Sequence, residues 1–260
     1  MKAVILCGGQ GSRIRDVSEA IPKPMLSIGG KPILWHIMKI YAAHGVRDFV
    51  LCLGYKGWLI REFFLNYLAM TTDFTLQLNR RREIQFHGDV EEADWRVTMV
   101  DTGDETMTGG RIWKIRKYVE DDPHFCVTYG DGVANVNIRA LIEQHERSGL
   151  AATLTGVRVA GRFGELVSEG GRVVIFNEKP AVTAGRINGG FMVFDSKRVW
   201  DYFDDDPGAI LEREPLMRLA AAGQLGVYEH EGYWQCMDTL REYIVLNDLW
   251  DKGQVPWKVW

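Results

Sequence analysis

Lys2-Ala3-Val4-Ile5-Leu6-Cys7-Gly8-Gly9-Gln10-Gly11-Ser12-Arg13 is the stretch whose reading decides the fold. Ala3 to Cys7 is apolar without alternation, as expected of a strand buried on both faces of a parallel sheet. It runs into three glycines within four residues, which let a backbone turn sharply and bring its N–H groups close to a ligand. Amides converging in such a loop form an anion site, and Arg13 adds a bidentate donor. Two familiar phosphate loops are excluded. The dinucleotide fingerprint G-x-G-x-x-G finds Gly9 and Gly11 but Ile14 at its third glycine, and the loop G-x-x-x-x-G-K-[ST] fails around Gly30-Lys31 because Met25 and Pro32 occupy required positions. In isolation the segment also fits a plain turn after a strand.

Working outward, apolar runs of strand length alternate with segments of helical period, the signature of an α/β chain with a largely parallel sheet. Pro32 opens a helix whose Ile33, Leu34, Ile37, Met38, Tyr41 and Ala42 share one face, with Gly45 ending it. Phe49–Leu53 and Phe125–Tyr129 read as further buried strands. Helices carry Ile60, Phe63, Phe64 and Tyr67, and then Ile138, Leu141, Ile142 and His145 up to Gly149. Phe74-x-Leu76-x-Leu78 and Arg96–Val100 alternate like strands. In the second half, Ala151–Val157, Val173–Phe176 and Phe191–Phe194 read as strands and Met217–Ala222 as the end of a short helix. Thr239-x-x-Glu242 has capping-box spacing and announces a last helix to about Trp250. The tail Pro256-Trp257-Lys258-Val259-Trp260 is too aromatic for a disordered end and is expected to dock on the body or on a neighbouring subunit. No repeat or linker interrupts the chain, so residues 1–260 read as one continuous domain.

Composition bounds the function classes. The 260 residues carry 31 Lys and Arg against 35 Asp and Glu, a net charge of −4, which argues against a nucleic-acid partner. No apolar run approaches the roughly 20 residues that span a bilayer, so no membrane association is expected. Cys7, Cys52, Cys126 and Cys236 form no C-x-x-C pair, which fits reduced thiols and a cytoplasmic location. The six histidines form no metal-binding spacing and no G-x-S-x-G elbow occurs, so zinc hydrolysis and serine-triad chemistry have no support.

Five further segments carry chemistry. Pro22-Lys23-Pro24-Met25 stiffens a lysine between two prolines, which lowers the entropy cost of clamping a phosphate; alone, P-K-P reads as a solvated turn. Tyr129-Gly130-Asp131-Gly132 places a carboxylate at the carboxyl end of a strand, where open α/β sheets bind ligands, and Asp131 suits Mg²⁺ as a hard ligand. Asp238 offers a second carboxylate, although beside Thr239 it also favours a helix N-terminus. Glu178-Lys179-Pro180 and Asn188-Gly189-Gly190 suit a phosphorylated sugar, with polar side chains for hydroxyls, Lys179 for the phosphate and paired glycines to admit the ring.

In this order the motifs resemble the sugar nucleotidyltransferases, whose G-G-x-G-[ST]-R, P-K-P-M, G-D, E-K-P and N-G-G elements match Gly8–Arg13, Pro22–Met25, Gly130-Asp131, Glu178–Pro180 and Asn188–Gly190. The resemblance covers essentially the whole chain and closes further over Gly29–Lys39, Gly54–Gly57, Val100–Asp104, Met107–Arg111, Gly161–Gly164 and Met237–Arg241. It implies a Rossmann-like nucleotide-diphospho-sugar transferase fold, with a mixed, mostly parallel central sheet flanked by helices. It implies transfer of a nucleotidyl group from CTP to α-D-glucose 1-phosphate to make a deoxysugar or polysaccharide precursor; UTP, dTTP or another hexose 1-phosphate stay open, as does a non-catalytic sugar-nucleotide-binding relative. By the same resemblance Arg13, Lys23 and Asp131 are catalytic, and Asp131 and Asp238 hold Mg²⁺. Leu6, Cys7, Gly8, Gly9, Gln10, Gly11, Ser12, Arg13, Lys23, Thr106, Arg111 and Gly130 contact the nucleotide. Tyr129, Glu178, Lys179, Asn188 and Gly189 contact the sugar phosphate. The N-terminal half would serve the nucleotide and residues 150–240 the sugar phosphate, in a homo-oligomer of trimer-based or hexameric order. Cys7, Gln10 and Cys236 depart from the usual Ala, Leu and Pro, and residues 79–94 match poorly, as a variable loop or subunit contact would.

Overall fold

Strand β1 (Lys2–Leu6) lies inside a seven-stranded sheet, and its side chains alternate between two cores. Ala3 and Ile5 join Phe49 and Leu51 in one, and Val4 and Leu6 join Val50 and Cys52 in the other. Burial on both faces is why these runs are apolar throughout rather than alternating. A computed structural model describes residues 1–9, 20–78, 83–159, 165–169, 172–177 and 185–260.

After β1 come a 3₁₀ turn (Lys23–Met25), β2 (Ser27–Ile28), β3 (Lys31–Pro32), α1 (Ile33–Ala43), β4 (Asp48–Leu53), α2 (Gly57–Leu65), α3 (Tyr67–Thr71), β5 (Phe74–Leu76), β6 (Ile84–Phe86) and β7 (Arg96–Asp101). There follow α4 (Thr108–Lys114), β8 (His124–Tyr129), β9 (Gly132–Ala134), α5 (Ile138–Ser148), β10 (Ala152–Val157), β11 (Glu165–Glu169) and β12 (Arg172–Asn177). The chain closes with β13 (Ile187–Asp195), α6 (Glu214–Ala221), β14 (Leu225–His230), β15 (Trp234–Cys236) and α7 (Leu240–Asp251). The large sheet runs β14-β10-β13-β8-β1-β4-β7, and only β13 is antiparallel to its neighbours. The expected mixed, mostly parallel sheet is therefore present. From β1 the chain builds outward to β4 and β7 on one side and later returns to β8 on the other. That reversal is a topological switch point, and it opens a crevice beyond the carboxyl ends of β1 and β8.

Helix α1 buries ten of its eleven residues against the first core, and Gly45 follows at φ +89°. Gly149 (φ +61°) closes α5, and the Thr239 capping box opens α7 with both reciprocal bonds. The alternation at Phe74 has a different cause from the one expected. β5 and β6 form a separate hairpin, and Phe74 opposite Phe86 and Leu76 opposite Ile84 put four exposed apolar side chains on one face. The aromatic tail docks on the chain's own body. Trp257 is fully buried and stacks on Tyr233 with centroids 5.8 Å apart, and Trp260 meets the edge of Trp35 at 5.7 Å.

The tail makes the fold sensitive to acid. The buried His36 donates from Nε2 to the Ile28 carbonyl at 2.9 Å, which leaves Nδ1 to accept from the Trp257 indole at 3.4 Å. The second bond needs the neutral ring, since a protonated Nδ1 cannot accept, and burial lowers the His36 pKa to about 4. Burial, with His124 beside it, lowers His145 to about 4 as well. A histidine whose folded pKa lies below its unfolded value contributes stability above that unfolded value and withdraws it as pH falls through the folded one. We therefore expect unfolding free energy to decline between about pH 6.5 and 4, with His36 accounting for about 3 kcal/mol of the loss. Denaturant titrations across this range check it, and a flat profile would contradict the assignment.

Candidate active site

The crevice at the switch point holds a cavity of about 420 Å³, and its lining gathers most of the residues singled out above. Leu6, Cys7, Gly8 and Gly9 come from the end of β1. Tyr129, Gly130 and Asp131 come from the end of β8, Lys23 from the 3₁₀ turn, Thr106 from the segment leading into α4, Arg111 from α4 itself, and Asp238 from the loop before α7. Asn188 and Gly189 stand one layer behind. The Trp234 indole donates to the Gly189 carbonyl at 2.7 Å, and Asn188 Oδ1 accepts from the Gly190 N–H at 2.9 Å. Gln10, Gly11, Ser12, Arg13, Glu178 and Lys179 lie outside the described residues.

Lys23 is aimed by its prolines. The Met25 N–H donates to the Pro22 carbonyl at 2.8 Å to close the turn, and Pro24 packs against Gly130 so closely that a Cβ there would stand 3.0 Å from the proline ring. The Lys23 ammonium then donates to Asp131 Oδ2 at 2.6 Å and also to Asp238 Oδ1. The carboxylates meet because β9 and β15 pair antiparallel, with Gly132 opposite Cys236, and because the Met237 N–H donates to the Asp131 carbonyl at 2.8 Å. Burial alone would lower the Lys23 pKa, but the facing carboxylates outweigh it and raise it. This is a fixed cation between two partly exposed anions. Mg²⁺ is characteristically held by one or two carboxylates together with substrate phosphates, and this hard-oxygen pair on an open cavity fits that donor set. Among the described residues no group of three His, Cys, Asp or Glu forms a further metal cage.

Arg111 lines the cavity, but the residue is only 4% exposed and its guanidinium bonds the protein itself. Nη1 bonds the Leu53 carbonyl (3.0 Å), Thr102 Oγ1 (2.6 Å) and the Gly103 carbonyl (2.8 Å). Nη2 bonds the carbonyls of Gly8 (3.0 Å) and Asp104 (3.3 Å). One cation thus ties together the chain just past β1, β4 and β7. Its space comes from Gly8 and Gly54, where any Cβ would overlap the guanidinium. Thr106 is fixed in turn by Lys114, which donates to Thr106 Oγ1 at 3.0 Å and to the Thr102 carbonyl at 2.8 Å. Cys7 contributes backbone only, since its thiol lies in the core and burial pushes its pKa up.

The site residues named from the sequence did not include Asp104, Glu105, Met107 and Thr108, which also line the cavity, or Trp234 behind it. Met107 and Thr108 were legible as neighbours of Arg111; Trp234 carried no signal.

Comparison with known proteins places this geometry. Residues 2–247 match the family model described as Nucleotidyl transferase. The chain is 50% identical over 260 residues, the whole of both proteins, to the glucose-1-phosphate cytidylyltransferase of Salmonella typhi. It is 47% identical, again over the whole of both, to the probable glucose-1-phosphate cytidylyltransferase of Bacillus subtilis (strain 168). Among solved structures, HddC from Yersinia pseudotuberculosis superposes with a TM-score of 0.69 at 24% identity, over 96% of this chain and 99% of that one. A putative glucose-1-phosphate thymidylyltransferase from Bacillus anthracis gives 0.69 at 19% identity, over 96% and 94%. The two structures share the fold.

The guanidinium clamp makes a sharp distinction between adjacent glycines. Gly8→Ala forces a methyl into Arg111, so it should cost about 2–3 kcal/mol as an overpacking change. Gly9→Ala meets nothing within 4 Å and should stay within about 0.5 kcal/mol. Urea denaturation of the two variants checks this, and equal stabilities would show that the clamp does not depend on Gly8.

Proposed function

This chain belongs to the nucleotidyl transferase family, and we propose that it transfers the cytidylyl group of CTP to α-D-glucose 1-phosphate, forming CDP-glucose and pyrophosphate. The observation that carries the reading is the Lys23–Asp131–Asp238 cluster in the switch-point cavity of a chain half identical, end to end, to a glucose-1-phosphate cytidylyltransferase.

The chemistry asks the protein for position and charge. An oxygen of the sugar phosphate attacks the α-phosphorus in line, and the bond from that phosphorus to the bridging oxygen of pyrophosphate breaks. Holding both substrates in that alignment removes most of the entropic part of the barrier. Lys23, fixed at the cavity wall, presents its ammonium to the reacting phosphates, and Arg13 adds a second cation from the glycine loop. Lys179 holds the phosphate of the sugar and so aims the nucleophile, while Glu178, Asn188 and Gly189 meet the sugar. Asp131 and Asp238 would hold a divalent cation such as Mg²⁺, which would supply charge neutralisation to the substrate phosphates. In this division the N-terminal half serves CTP and residues 150–240 serve glucose 1-phosphate.

Base preference follows from the carbonyls around Arg111. The Asp104 carbonyl, in a residue that lines the cavity, accepts from Arg111 Nη2 and has a second lone pair to offer, whereas that of Gly8 also accepts from the Tyr55 N–H. Such an acceptor suits the 4-amino group of cytosine and repels the 4-carbonyl of uracil. Arg111 therefore acts on the base through the loops it fixes.

Two physical features bear on the surroundings. The β5–β6 hairpin exposes one apolar face, and Leu65 and Met70 are exposed just before it. That surface supports a homo-oligomer, since an isolated two-stranded hairpin is marginal in water. All four cysteines are unpaired, which suits the reducing cytoplasm, and no helix among the described residues is long and apolar enough to cross a membrane.

One assay tests the reading: pyrophosphate release with CTP, UTP, dTTP and GTP crossed against several hexose 1-phosphates, with and without a chelator. Turnover should be greatest with CTP and glucose 1-phosphate and should vanish on chelation. Asp131→Asn should lower kcat by about a hundredfold or more while the chain still folds. Comparable kcat/KM for CTP and UTP would refute the cytidylyl assignment, and a near-normal rate for Asp131→Asn with Mg²⁺ would refute the metal site.

A further inference from the structure

Glu212 belongs to none of the motifs above, yet it joins the two walls of the cavity. It lies in the loop before α6, and that loop is pinned to the start of α4. The Met107 N–H donates to the Pro207 carbonyl at 2.8 Å, and the Leu211 N–H donates to Thr108 Oγ1 at 2.9 Å. With that lone pair engaged, the Thr108 hydroxyl turns its proton to Glu212 Oε2 at 3.2 Å. The other carboxylate oxygen, Oε1, accepts from the Tyr129 hydroxyl.

The single phenolic proton of Tyr129 goes to Glu212. On the β13 side, Asn188 is held by its own Oδ1, which accepts from the Gly190 N–H at 2.9 Å. Gly190, at φ +78°, leaves no room for a side chain, because a Cβ there would meet the Tyr129 ring at 2.5 Å. The ring is clamped by β13, and its hydroxyl is oriented by Glu212. Burial first, and then the Glu212 carboxylate, push the Tyr129 phenol well above its ordinary range, so it keeps its proton.

We propose that Glu212 is a positioning residue for the sugar-phosphate substrate, acting through the Tyr129 hydroxyl to hold the Tyr129–Asn188 wall and through Thr108 to tie that wall to the nucleotide side. The proposal deepens the reading of this site as a glucose-1-phosphate cytidylyltransferase and rests on it. Glu212 touches no reacting atom; its effect is transmitted, and transmission makes it testable.

The test is a double-mutant cycle of Glu212→Ala and Tyr129→Phe, read as KM for glucose 1-phosphate, KM for CTP and kcat. Each single variant should raise KM for glucose 1-phosphate about tenfold, the scale of one lost hydrogen bond. KM for CTP and kcat should move less than about threefold. The double variant should match either single within about twofold, because residues acting through one bond are not additive. Glu212→Gln, whose carbonyl still accepts from Tyr129, should recover most of the loss. Should Glu212→Ala fail to fold, Glu212→Asp takes its place, being one methylene too short to reach both hydroxyls. Effects that multiply in the double variant, or a Glu212→Gln as impaired as Glu212→Ala, would overturn the proposal. Wild-type turnover of CTP with glucose 1-phosphate is measured first: its absence overturns the proposed function and this inference with it, whereas turnover with multiplying effects overturns only the role of Glu212.

Discussion

A single buried guanidinium sets the shape of the cleft. Taking a cation out of water costs several kcal/mol unless its donors are met, and Arg111 meets that cost with four carbonyls and a hydroxyl drawn from three strand ends. Two of those carbonyls also accept a backbone N–H, Leu53 from Thr102 at 2.9 Å and Gly8 from Tyr55 at 3.3 Å, and those of Gly103 and Asp104 lie past the end of β7. The carbonyls satisfy the cation, and the loops past β1, β4 and β7 are held in one arrangement before any substrate arrives. Burial lowers the Arg111 pKa, with Cys52, Cys7 and the more distant Asp104 and Asp101 acting the other way. A guanidinium starts from so high a pKa that it stays charged.

The rest of the site is arranged on that frame. The topological switch between β1 and β8 supplies the crevice, the proline-bracketed turn supplies Lys23, and the short β9–β15 ladder brings Asp131 and Asp238 to the same ammonium. Each component is rigid for a local reason, so the charges that must face a triphosphate are pre-positioned rather than gathered on binding. Pre-positioning of this kind is where phosphoryl and nucleotidyl transfer find most of their rate.

Much of this was legible in the sequence because the chemistry is concentrated in short, chemically odd segments. Gly8-Gly9, Pro22-Lys23-Pro24 and Gly130-Asp131 announce themselves by residue types that are costly elsewhere, and the two-sided burial of β1 and β4 follows from unbroken apolar runs. What stayed illegible depends on contacts between distant residues. β9 and β15 are three residues each, too short to show a period, so the meeting of the two carboxylates could be matched only by resemblance. Arg111 could be flagged, but whether its guanidinium faces ligand or backbone depends on Gly8 and Gly54 leaving space, which no pattern reveals. Glu212 sits in the charged run Glu212-Arg213-Glu214, which reads as solvated surface. The hairpin at Phe74 alternates like a sheet strand, and only the structure shows it standing apart.

In the function proposed, the nucleotide enters the cleft at the carboxyl ends of β1 and β8. A second, larger cavity of about 730 Å³, between Lys31, Trp35, Tyr67 and the aromatic tail, offers a physical alternative. Amide hydrogen exchange followed by mass spectrometry, with and without saturating CTP and Mg²⁺, separates the two most directly. The account predicts slowed exchange in peptides spanning residues 6–9, 104–111 and 129–132, with residues 67–76 and 250–260 unchanged. Protection confined to the tail and its neighbours, with the strand ends unaffected, would contradict it.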